Sequence, residues 1–181
     1  MKKIVIFCDG ACSGNGQASN VGGWGAVLKY KDQQKEICGG ADQTTNNIME
    51  LTAAIEALKL IKGKDYAVSI YSDSAYVVNC FKNGWYHKWR TNGWINSKKE
   101  PVENRLLWET LIELVESFTE VVFYKIKGHL EVHKTAEVKK WLLKFNQDNN
   151  ANLSLEAFEE LIALNQLADQ LANTGMAPYK P

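Results

Sequence analysis

The period of apolar positions changes several times along the chain. "KKIVIF" (2–7) is a compact β-rich run and reads as a buried strand that ends at Asp9. "ACSGNGQASNVGG" (11–23) reads as a loop by its Gly, Ser and Asn content. "WGAVLKY" and "KEICGGA" predict two strands turning at Lys31–Gln34, a hairpin. The period then shifts to helical. From Glu50 one stripe carries Ala53, Ala54, Ala57 and Ile61, which predicts a helix over 46–62 stopping near Gly63. "YAVSIYSD" is a fourth strand and again closes on an aspartate, Asp73. A short helix starts at Ala75. Pro101, tolerated in a first turn, opens another through "PVENRLLWETLIELVESF". "EVVFYKIKG" is a fifth strand, and residues 130–175 look mostly helical.

This order predicts an α/β fold, a five-stranded mixed sheet flanked by helices. Helices connect strands 1, 4 and 5, which should therefore run parallel, with the hairpin supplying the antiparallel part. No repeat or linker divides the chain, so 1–181 is expected to form a single domain.

Composition narrows the classes. With 23% charged and 45% hydrophobic residues the chain is ordinarily globular, and no apolar run approaches the ~20 residues that span a membrane. The apolar start ends at Asp9 with no small-residue cleavage site, so no signal peptide is expected. Four cysteines (Cys8, Cys12, Cys38, Cys80) lack zinc spacing and read as reduced thiols, implying a cytoplasmic protein. Net charge is zero, yet the stretch from Lys82 to Lys99 has five basic side chains and no acidic one.

The carboxylates carry the chemistry. Asp9 and Asp73 each end a buried strand, where open α/β sheets bind ligands. On neighbouring strands ~4.8 Å apart they could not both ionise comfortably, so one keeps its proton or a cation holds them. Glu50 heads an otherwise small and apolar stripe. It could complete a capping box with Asn47 as N-cap, or supply a third oxygen ligand. Each aspartate alone also reads as a turn residue. An all-oxygen set without Cys or clustered His suits Mg²⁺ or Mn²⁺, and two such ions about 4 Å apart would activate water and stabilise the leaving oxygen of a phosphodiester.

"FCDGACSGNG", "GGWGAVL", "TTNNIMELTAAIEAL", "YSDSAYV", "KEPVENRLLW" and "YKIKGH" follow one another as in type 1 ribonuclease H, which the chain resembles from about Lys3 to His129 and again over Asn165–Asn173. The resemblance implies a ribonuclease H-like fold. It also implies an endonuclease that cuts the RNA strand of RNA–DNA hybrids with two Mg²⁺ ions, Mn²⁺ being a substitute, and leaves 5′-phosphomonoesters. It assigns Asp9, Glu50 and Asp73 as metal ligands, and His129 to proton transfer or product departure, either of which suits an imidazole. The fourth carboxylate matches Asp169, which alone would read as a solvated charge on an amphipathic helix, with Glu156, Glu159 and Glu160 as rival donors. It comes 40 positions after His129, so residues 131–164 read as a helix–loop–helix insertion near the C-terminus.

Within the insertion, Asn146, Asp148, Asn150 and Asn152 fall at EF-hand positions, but Ala151 and Ala157 stand where Gly and Glu are needed. A structural hairpin is expected rather than a Ca²⁺ site, and its surface is open to a partner. The resemblance also assigns Asn15 and Asn46 to the hybrid's minor groove, where 2′-hydroxyls mark RNA, and Thr45 and Asn104 to a DNA phosphate. Gln43 replaces an arginine often found near that phosphate, and Ala75 a longer polar residue. "KNGWYHKWRTNGWINSKK" interleaves Trp85, Tyr86, Trp89 and Trp94 with basic residues, as in the family's basic protrusion, and Trp85 is a candidate hybrid contact. Some of these tryptophans would form the protrusion's own core. A monomer without a preceding hybrid-binding module is expected. A non-catalytic hybrid-binding module and another nuclease on the same fold, such as a resolvase or integrase-like domain, are the rival readings.

Overall fold

The computed structural model describes residues 1–14 and 19–181. Five strands form one sheet in the order β3-β2-β1-β4-β5: β1 Lys2–Ser13, β2 Val21–Tyr30, β3 Gln33–Asp42, β4 Tyr66–Ser72 and β5 Glu120–Lys125. β1 pairs in parallel with β4, and β4 with β5; β2 pairs antiparallel with both β1 and β3. The mixed sheet is as expected, with a second antiparallel pair. β1 runs on to Ser13, which faces Val21, so much of the expected 11–23 loop is strand. Its small residues read as loop in isolation, but β2 satisfies their backbone groups.

Six α-helices complete the described fold: α1 Asn46–Lys59, α2 Ala75–Lys82, α3 Trp85–Asn92, α4 Arg105–Ser117, α5 Thr135–Asn149 and α6 Leu155–Met176. The sheet separates two cores by strand alternation. On one face Ile4, Ile6, Cys8, Val68 and Ile70 pack with Leu51, Ala54 and Leu58 of α1 and Trp108 and Leu111 of α4. On the other, Phe7 and Val27 meet Ala168 of α6. Tyr71 and Tyr124 stack at 5.0 Å there, beside a satellite core of Leu130, Val138, Phe145, Phe158 and Ile162.

Pro101 does not open a helix. It bridges to Ile95 across a turn held by Asn96, and α4 begins four residues later, after Asn104 in left-handed conformation. No helix is long and apolar enough to cross a membrane among the described residues.

Between α5 and α6 the residues at the EF-hand-like positions make contacts of their own. Asn146 lies inside α5, and its amide both donates to and accepts from the Leu153 backbone, at 3.2 and 2.9 Å. Asp148 is also helical and pairs with Lys144 at 3.1 Å. A twelve-residue ligand loop would require the last turn of α5 to unwind.

Candidate active site

The parallel register levels the two aspartates. Phe7 pairs with Tyr71, and two residues further along their chains lie Asp9 and Asp73. Gly10 then sets how near α1 can come. A Cβ there would lie 2.7 Å from the Glu50 nitrogen and 2.9 Å from the Met49 Cβ, so the helix rests against bare backbone. This contact brings in Glu50. Carboxylate oxygens of Asp9, Glu50 and Asp73 all lie within 4.8 Å of one another.

The capping reading of Glu50 fails. Thr45, not Asn47, is the N-cap, and its hydroxyl accepts from the Ile48 N–H at 3.1 Å. Glu50 therefore falls beyond the first turn, is 3% exposed, and keeps one oxygen, Oε2, buried without a hydrogen-bond partner. Asp9 is nearly as buried, and its Oδ1 accepts from the Gly10 N–H at 2.9 Å. Burial, then the Glu50 and Asp73 charges, push the Asp9 carboxyl far above its ordinary range. Burial and Asp73 do the same to Glu50. Asp73 is raised mainly by burial, against the opposing pull of its hydrogen bond with Asp9 and of the His129 and Lys125 charges. Such a cluster is costly to ionise in water alone. An orphaned buried oxygen in an all-oxygen set fits a divalent cation, and these three residues could hold one.

Asp169 and His129 border the same place. Both line a cleft of about 350 Å³ with Asp73, and Asp169 adds to the upward pressure on Asp9. His129 is exposed and left-handed (φ 56°), on a loop that crosses Asp73 closely: a Cβ at Gly128 would sit 2.5 Å from Asp73 Oδ2. A larger concavity of 590 Å³ opens elsewhere, among Ile4, Leu28, Tyr30 and Tyr66, but no carboxylate lines it.

A family model described as RNase H matches residues 1–177. The chain belongs to the RNase H family. Ribonuclease H of Syntrophomonas wolfei is 54% identical over 129 residues, 71% of this chain and 86% of that protein. The crystal structure of LC9-RNase H1, a type 1 RNase H with the type 2 active-site motif, has a TM-score of 0.72 at 24% identity, covering 99% of this chain and 74% of that one. LC11-RNase H1 in complex with RNA/DNA hybrid has a TM-score of 0.58 at 19% identity, covering 97% of each chain. These two structures bear on the fold.

The substrate candidates are spread out. Thr45 and Asn46 are exposed at the start of α1. Asn104 donates to the Tyr76 hydroxyl at 3.1 Å, which Trp108 also bonds. Asn15 lies outside the described residues. Trp85 is 37% exposed beside a 490 Å³ cleft with Lys88 and Asn96, whereas Trp94 is 9% exposed and packs on Trp89. Arg90 forks onto Glu116 (Nη1 to Oε2, 2.9 Å) and covers Tyr86, so it is spoken for within the protein.

Two residues that sequence reasoning assigned no role line the same cleft as Asp73, His129 and Asp169. Asn165 is 4% exposed in the cleft wall, and its Oδ1 is, like Glu50 Oε2, one of three buried side-chain atoms without a partner among the described residues. Gln166 donates to the Leu130 carbonyl at 2.8 Å and so ties α6 to the His129 loop. Asn165 was traceable, one turn before Asp169 on the same helix face; Gln166 had no such signal.

Proposed function

We infer that this chain is an endonuclease that hydrolyses the RNA strand of RNA–DNA hybrids by two-metal-ion phosphodiester cleavage, releasing 5′-phosphomonoesters. One observation carries the reading: in a member of the RNase H family, Asp9, Glu50 and Asp73 converge within 4.8 Å with a buried Glu50 oxygen left unpaired. The hybrid bound by LC11-RNase H1, on the same fold, supports the substrate class.

Asp9, Glu50, Asp73 and Asp169 would hold the ions. Their oxygen-only donor set suits Mg²⁺, with Mn²⁺ as a substitute. When bound, the ions supply positive charge that offsets the charge growing on the phosphate as water attacks. The chain's own residues do the rest. The buried carboxylates hold their geometry without rearranging, because β1, β4 and α1 fix them. His129, exposed beside Asp73, would take a proton from the attacking water, give one to the leaving 3′-oxygen, or speed product departure. Thr45, Asn46, Asn104, Asn15 and Trp85 would grip the hybrid away from the cut.

The same reading takes 131–164 as an insertion within a single-domain monomer. It takes the compartment as the cytoplasm, in keeping with Cys8, Cys38 and Cys80, which form no disulfide. The decisive experiment incubates labelled RNA–DNA, DNA–DNA and RNA–RNA duplexes with the protein, with and without Mg²⁺, beside Asp73→Asn. Selective cutting of the RNA in the hybrid, dependent on Mg²⁺ and lost in the variant, is expected. Hybrid binding without any cleavage would leave a binding module instead.

A further inference from the structure

We propose that the end of β5 and the outer side of α5 form a second phosphate-tracking surface, which holds the backbone of the RNA–DNA hybrid away from the bond being cut. The proposal rests on the hybrid-cleaving reading above and gives the α5 region a role in it.

Two rows of lysines meet at one tryptophan. Ile126 is buried, so Lys125 and Lys127, two positions apart, both emerge on the opposite side and are exposed. On α5, Lys140 and Lys144 are four apart and share a face. Trp141 stands half-buried where the rows converge. The Lys127 ammonium lies 5.2 Å and that of Lys140 5.4 Å from its ring centroid. Lys125, Lys127, Trp141 and Lys144 line one shallow cleft of about 70 Å³, and the chain passes directly from Lys127 into Gly128 and His129.

One carboxylate, Asp148, lines the same cleft and offsets Lys144, with which it pairs at 3.1 Å, and Glu137 lies one turn before Lys140 and Trp141 on α5. Among the described residues, Lys125, Lys127 and Lys140 have no carboxylate at ion-pair distance. In a chain with no net charge, two ammonium groups over one indole, with Lys125 lining the adjoining cleft, are a local excess that favours a polyanion. The cleft is too small to bury a ligand, so it suits a backbone passing across it, with lysines on phosphates and the indole edge on sugars. α5 is also joined to the protrusion side of the molecule, because Lys82, which ends α2, donates to Asn149 at 3.1 Å.

The test measures hybrid affinity against salt in an Asp73→Asn background, where cutting is arrested. Lys127→Ala/Lys140→Ala is compared with Lys35→Ala/Lys62→Ala, an exposed pair at the far concavity that removes equal charge. Each lost phosphate contact lowers the slope of log K against log salt by about 0.7–0.9. The first pair should flatten the slope by roughly 1.5, the control pair should not, and Lys127→Arg/Lys140→Arg should restore it. A slope unchanged by the first pair, or flattened equally by the control, overturns the proposal and leaves another polyanion to be sought for this face. If the unaltered protein neither binds nor cuts the hybrid, the underlying functional reading is what has failed.

Discussion

Gln166 on α6 donates a 2.8 Å hydrogen bond to the carbonyl of Leu130, 36 positions earlier. Leu130 itself is 3% exposed, its side chain sunk among Val138, Phe145 and Phe158. The loop carrying His129 is thus fastened by backbone and side chain together, while the imidazole stays exposed. Gln166→Ala removes one net hydrogen bond, worth ~1 kcal/mol, and should lower kcat about fivefold with KM little changed. Gln166→Glu matches the shape but presents an acceptor to a carbonyl, so it should not rescue. Steady-state hybrid cleavage, with amide exchange at residues 127–131, checks this.

The acidic cluster gives a signed dependence on pH. Asp9, Glu50 and Asp73 bind protons more tightly folded than unfolded. Their contribution is therefore fully favourable below the ordinary carboxylate range and is lost as pH rises above it. Without metal, the melting temperature should fall on going from about pH 4 toward pH 8 relative to an Asp9→Asn/Glu50→Gln variant. Mg²⁺ should reverse that fall and release protons on binding, measurable by calorimetry in two buffers of different ionisation enthalpy. A metal-free protein whose stability shows no difference from the variant across this range would contradict the account.

Gly128→Ala tests the crossing of loop and carboxylate. The added methyl would lie 2.5 Å from Asp73 Oδ2, so the loop must lift or the carboxylate must turn. Cleavage should drop by tenfold or more, the cost of ~1.4 kcal/mol or greater in barrier, while the far-UV spectrum stays the same. Near wild-type cleavage would mean the loop yields without disturbing the site.

The protrusion's aromatic residues should separate by burial. Trp94→Ala empties a packed position against Trp89 and should cost about 3–5 kcal/mol of stability. Trp85→Ala, at an exposed ring, should leave stability within ~0.5 kcal/mol and weaken hybrid binding by about 1–3 kcal/mol. Thermal melts and filter binding on both variants decide it.

Asn146→Ala should lower the melting temperature by roughly 4–8 °C, since two hydrogen bonds to Leu153 vanish. Ca²⁺ at millimolar concentration should show no saturable binding to the unaltered protein by calorimetry.

Much of this was legible in the sequence because it rests on short-range patterns. Strands 1 and 4 announced themselves as β-rich runs, and parallel pairing then needed only a helix between them; Asp73 does follow the end of β4, whereas Asp9, expected to end its strand, lies within β1, which β2 pairs as far as Ser13. Glu50 was suspect because a carboxylate heads a stripe of alanines. What stayed hidden depends on partners distant in the chain. Ala11 and Cys12 look like loop until Gly22 and Gly23 pair with them. Pro101 looks like a first-turn proline until Asn96 binds the amides of Lys98 and Glu100 and turns the chain back. Asn47 looked as good a cap as Thr45, and only the described backbone, extended at Thr45, distinguishes them. Asn20 gave no hint that its amide accepts from the Thr44 N–H at 2.9 Å, steadying the approach to α1.

Phe7 and Val27 on the sheet depend for cover on Ala168, which belongs to the last long helix. During synthesis on the ribosome, β1 and β2 emerge well before α6 exists. Their aromatic and aliphatic side chains then face water or a chaperone, and a ribosome stalled before residue 168 displays an apolar ledge on the nascent sheet.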